Sequence, residues 1–88
     1  MKKKTVFVYK SYWEEGNEFE GGVSVRLFDT LEKACKALKN DTKQIKAMFL
    51  SEYHEENLNS VETDTRVDIG ANNFDDYWCG NVYEKEVE

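Results

Sequence analysis

Residues 29–54 read DTLEKACKALKNDTKQIKAMFLSEYH, and the spacing of apolar side chains along them decides the fold. Leu31, Cys35, Leu38, Thr42, Ile45 and Phe49 recur at alternating steps of four and three residues. That is one face of an α-helix, and Ala34 and Met48 widen it. Asp29, with Glu32 three residues on, has capping-box spacing. Asn40-Asp41-Thr42 is the weak point, because short polar side chains compete for backbone hydrogen bonds. The apolar phase survives across it, so one helix from about residue 30 to 54 is predicted, with Asn57 as its stop. Two shorter helices are the alternative.

Outward from the helix, the flanking segments read as strands. Residues 5–13 are β-branched and aromatic, and Val6–Tyr9 is apolar on both faces, as near the centre of a sheet. Glu14-Glu15-Gly16-Asn17-Glu18 is a turn, and a second strand follows at about residues 21–28, with Val23, Val25 and Leu27 on one face and Ser24 and Arg26 on the other. Beyond the helix, Val61, Thr63, Thr65, Val67 and Ile69 alternate with Glu62, Asp64, Arg66 and Asp68, predicting one strand with a buried and a wet face. A last strand spans about residues 77–87, with Gly80 marking a bulge. The expectation is a single α+β domain over residues 1–88: a four-stranded antiparallel sheet in β-β-α-β-β order, one face covered by the helix and the other partly open. The open face is expected to carry Phe7, Tyr9 or their neighbours with some of Tyr77, Trp78 and Tyr83.

A chain of 88 residues supports one small core and no Rossmann domain or TIM barrel. With 40% hydrophobic and 14% aromatic residues it is no disordered acidic tail. Its net charge of −6 is unevenly spread. Residues 1–51 carry a net +3, and residues 52–88 carry −9. An acidic half argues against direct nucleic-acid binding, which draws on Lys and Arg at phosphates, and it favours a basic protein partner. No apolar run suits a signal peptide or a membrane span, and Lys2–Lys4 reads as a solvated terminus. Cys35 and Cys79 read as buried free thiols in a reducing cytoplasm.

The segments Lys4–Tyr9, Glu20-Gly21-Gly22-Val23, Phe28–Leu38 and Val82–Val87 together resemble small uncharacterised domains of bacteria and their phages. In those, a Gly-Gly hairpin leads into an F-x-[ST]-x-E-K-A helix start and the chain ends in a charged strand. The resemblance implies this fold and a cytoplasmic, phage or mobile-element setting. It brings no catalytic residue.

No constellation in the chain is equipped for catalysis, and neither a metal nor a cofactor is expected. His54-Glu55 starts like a zinc-protease helix, but Leu58 stands where the second ligand belongs. The serines lack a nucleophile-elbow context. Asp68, Asn72, Asn73, Asp75 and Asp76 gather oxygens, yet without EF-hand spacing they read as a solvated turn. The lysines at 33, 36, 39, 43 and 46 read as the wet side of the helix. The expected function is therefore a non-enzymatic protein-binding module, in its specific form an acidic inhibitor of a basic host protein. Its contact residues are Glu14, Glu15, Glu18 and Glu20 at the hairpin tip, with Asp75, Asp76 and Trp78. A structural homodimer using the open face or an edge strand is the alternative.

Overall fold

The computed structural model describes residues 4–15, 20–71 and 76–87. The β-branched and aromatic N-terminal run forms β1 (Lys4–Glu15), which turns back into β2 (Glu20–Phe28). The helix α1 (Leu31–Glu52) follows. After a 3₁₀ turn at Glu55–Asn57 come β3 (Leu58–Glu62), β4 (Arg66–Ala71) and β5 (Asp76–Val87). The sheet is antiparallel throughout, in the order β2-β1-β5-β4-β3. The α+β class and the helix on one face agree with the sequence reading. The strand count does not: among the described residues there are five strands, not four.

The extra strand arises inside the alternating run of residues 61–69, which is divided between β3 and β4. Thr63 closes a tight turn instead: its N–H donates to the Arg66 carbonyl at 2.7 Å, and its Oγ1 accepts from the Arg66 N–H at 3.0 Å. Local side-chain bonding of this kind outcompetes strand continuation. Two-residue alternation persists through such a hairpin, so pattern alone cannot reveal it. The turn also separates the faces. Val67 and Ile69 enter the core, whereas Val61 pairs with Asp68 and lies exposed on the opposite face, as Thr63 and Thr65 lie exposed in the turn.

The helix is continuous across Asn40-Asp41-Thr42 because the side chains at 41 and 42 find partners compatible with it, one within the helix and one from the sheet. Thr42 Oγ1 donates to the Leu38 carbonyl at 2.7 Å, and Asp41 accepts from the Tyr9 hydroxyl at 2.7 Å. Its ends differ from expectation. Thr30, not Asp29, is the N-cap, its Oγ1 accepting from the Lys33 N–H at 3.2 Å. The third helical position is then Lys33 and not Glu32, so no capping box forms; Asp29 pairs with the Lys33 ammonium at 3.0 Å, which holds its carboxyl below the usual range. At the other end the chain leaves the helix at Tyr53, in extended conformation, so Asn57 is not the stop. The Tyr53 ring meets Phe49 edge-on at 6.4 Å, which turns the chain back toward the sheet.

Alternation along β1 assigns the two sheet faces. Phe7, Tyr9, Ser11 and Trp13 share a face with Trp78, Gly80 and Val82 of β5 and Val67 and Ile69 of β4. Against that face the helix sets Ala34, Ala37, Leu38 and Phe49, and Tyr9, Leu38 and Ile69 are the largest fully buried side chains. Phe7 and Tyr9 therefore belong to the covered face, not the open one. Gly80 is no bulge, since the register runs unbroken through Ser11, Gly80 and Val67. Its role is close approach: a Cβ there would meet Leu38 Cδ1 at 2.5 Å. The molecule is long and thin, 51 × 24 × 15 Å, with a radius of gyration of 14.6 Å. A spherical domain of this length would give about 12 Å. Two layers and long central strands account for the difference.

Candidate functional site

The expected contact residues separate into groups. Glu18 and Asp75 lie outside the described residues. Glu15 and Glu20 face each other across the β1–β2 register at the hairpin end, and Glu14 sits beside them opposite Gly21. Asp76 opens β5 opposite Glu15. Trp78, expected as an exposed anchor, is only 4% exposed. It stands between Trp13 and Ile69 in the middle of the sheet and belongs to the core.

Three of these residues nevertheless line one groove. Glu14, Asp76 and Trp78 meet the last two turns of α1 around a hollow of about 410 Å³. Its walls are apolar: Trp13, Ile45, Met48, Phe49 and Trp78. Two carboxylates, Glu52 and Asp76, stand around them, and the described lining holds no Lys, Arg or His. Glu14 lines the rim, but alternation puts its side chain on the open face with Tyr12 and Tyr77. The sheet end supplies Glu14 and Asp76 because the long antiparallel strands bring residues 14 and 76–78 alongside each other. The helix supplies Glu52 one turn after Met48, at the spacing that puts both on one side. The Tyr53 hydroxyl donates to Asp76, and the Tyr12 hydroxyl donates to Glu14, which raises the Tyr12 pKa above its ordinary value. Trp13 lies against Gly22, where an added Cβ would run into its indole.

Sequence reading identified the acidic strand ends but missed Trp13, Met48 and Glu52 as groove residues. Met48 stood at the margin of the apolar helix stripe, and that marginal position is the signal of a side chain half in the core and half in a cleft. About half of Met48 is exposed.

On the other side of the helix a second hollow, of about 620 Å³, is lined by Lys36, Lys39, Lys43 and Lys46 against Glu62 and Asp64. Lys46 pairs with Glu62 at 2.5 Å. This hollow has no aromatic wall. On the open face Asp68 accepts from Arg66 Nε at 3.0 Å and from the Tyr77 hydroxyl; the Arg66 guanidinium holds the Asp68 carboxyl below the usual range. Asp68 is thus committed within the sheet, and Asn72, Asn73 and Asp75 of the expected oxygen-rich loop lie outside the described residues.

Cys35 and Cys79 are free thiols, half-buried where full burial was expected. His54 is exposed just past the helix. Among the described residues no group of His, Cys, Asp and Glu could hold a metal ion, and no helix is long and apolar enough to cross a membrane. No protein-family model, curated protein or solved structure matches the chain.

Proposed function

We propose that this chain is a non-enzymatic protein-binding module that takes a basic, apolar-bodied side chain of a protein partner into the groove between the end of α1 and the β1–β5 strand ends. One observation carries the reading: Glu52 and Asp76 flank an aromatic and aliphatic lining that, among the described residues, holds no Lys, Arg or His. An arginine or lysine fits that chemistry, its stem against Met48 and Trp13 and its charge at the carboxylates. The net charge of −6 steers such a partner toward the molecule. In its more specific form the module is an inhibitor from a phage or mobile element, acting in the cytoplasm and offering carboxylates where a basic partner expects phosphates.

The test is a titration of the labelled protein with short Arg-Leu-containing and Lys-Leu-containing peptides, followed through the two indole N–H signals. Trp13 and Trp78 should shift with the basic peptides and not with a Glu-Leu control, and Glu52→Lys with Asp76→Asn should remove the shift. Equal shifts with the acidic control, or none with any peptide, would refute the groove as a cation site.

A further inference from the structure

The two edges of the sheet are built differently. β3 is five residues long and carries Asn59, Ser60 and Glu62, with Val61 as its single exposed large apolar side chain. β2 is nine residues long and has a strand neighbour on one side only. Val23, Val25 and Leu27 along it are 54%, 57% and 65% exposed, all on the face away from the helix. The one charge in mid-strand, Arg26, is drawn to the helix side: its guanidinium lies 5.9 and 5.2 Å from the Tyr9 and Phe28 ring centres and 3.8 Å from Asp41. The devices that keep edges apart, short length and outward charge, guard β3 and are missing from the middle of β2.

We propose that β2 is a self-association edge: two copies pair β2 with β2, antiparallel, about a two-fold axis through Val25, joining two five-stranded sheets into one. A perpendicular two-fold keeps both helices on the same side and sets each pair of opposed residues on one face. The run Gly22-Val23-Ser24-Val25-Arg26-Leu27-Phe28 is complementary to itself about that axis. Val25 meets Val25, Val23 meets Leu27, Ser24 meets Arg26, and Phe28 meets Gly22. Each larger side chain is opposite a smaller one, and the arginines are kept apart. An axis at Arg26 would oppose two guanidinium groups, and one at Ser24 would oppose Leu27 to Gly21. This self-complementarity favours a second copy over a foreign strand as the occupant. A nine-residue strand is about 30 Å long and a sheet layer about 10 Å deep, so each copy covers about 300 Å². Stable complexes bury about 800 Å² per partner, so the dimer is reversible and concentration-dependent.

Sedimentation equilibrium of the full chain, from tens of micromolar to about 1 mM, should show monomer and dimer exchanging, as an interface of this size requires. Val25→Lys sets two ammonium groups at the axis and should weaken dimerisation about tenfold or more, while Val61→Lys on the guarded edge should leave it within about twofold. Thermal unfolding of both variants verifies that they fold. As a second measurement, with Cys35 and Cys79 replaced by Ala, Val25→Cys should oxidise to a covalent dimer and Val61→Cys should not. A monomer at the top concentration, a dimer indifferent to Val25→Lys, or faster cross-linking through position 61 would overturn the proposal. So would a monomeric chain whose β2 pairs only with another protein's extended segment. Neither Val25 nor Val61 lines the groove, so failure here leaves the peptide titration unaffected.

Discussion

The helix-covered face and the open face of the sheet are made from the same strands in alternation, yet they do different work. On the covered face the residues are large, mixed in shape and interlocked: Tyr9, Trp78 and Ile69 meet Leu38 and Phe49, and Gly80 leaves room for the closest contact. On the open face apolar character is just as plain along β2, but among the described valines and leucines there only Val8 is buried, and Val23, Val25 and Leu27 stand in solvent. Hydrophobicity therefore does not distinguish core from surface in this sheet. What distinguishes them is the presence of a second layer, since apolar surface stabilises only when water is removed from both sides of a contact.

The comparison breaks most sharply with paired truncations. Leu38→Ala should cost about 2–5 kcal/mol, the range for emptying a packed core site. Val23→Ala on the open face should stay within about 0.5 kcal/mol. Urea unfolding of both variants checks this, and equal losses would show that the open face is packed after all. Next in size, Gly80→Ala should cost about 1–3 kcal/mol by overpacking, because Leu38, Trp78 and Tyr9 all lie within 3.2 Å of the added methyl. A neutral result would mean that the helix can lift from the sheet freely.

Smaller than either core change in neutral solution is Tyr9→Phe, which removes the bond to Asp41 and should cost about 1 kcal/mol. Its sharper signature is alkaline. Burial first, and then the hydrogen bond to Asp41, raise the Tyr9 phenol above its ordinary pKa. The folded chain keeps a proton that the unfolded chain loses from about pH 10 upward. The stabilisation is therefore complete below that pH and is lost as pH rises toward the folded value. Tyr77, raised chiefly by burial and then by its bond to Asp68, acts in the same direction. Tyr9→Phe should flatten the fall in stability above about pH 10 without abolishing it. An unchanged alkaline slope would remove Tyr9 from this role.

Much of the fold was legible because it depends on periodicity. The four- and three-residue steps from Leu31 to Phe49 survive any context, and the helix runs where they run. The first two strands and the last were legible for the same reason. The β3–β4 hairpin was not, since alternation is preserved through the turn and only the bonds of Thr63 to Arg66 reveal it. The N-cap shifted from Asp29 to Thr30 by one residue, a choice between two competent side chains that local pattern leaves open. Of the groove, the acidic residues of the strand ends could be anticipated from charge; the joining of Asp76 to Glu52 could not, because two strands separate the helix from β5 in the chain.

The amino-acid order alone determined a single amphipathic helix between runs of strand and an acidic C-terminal half, because these follow from neighbours within a few residues. Only the tertiary structure decided that Trp78 is core and Trp13 a groove wall, that Val67 faces inward and Val61 outward, and that β2 rather than β3 is the unguarded edge. Those outcomes depend on which strand lies beside which and on what covers each face. They are properties of long-range packing, and alternation is blind to them because it is identical on either side of a sheet.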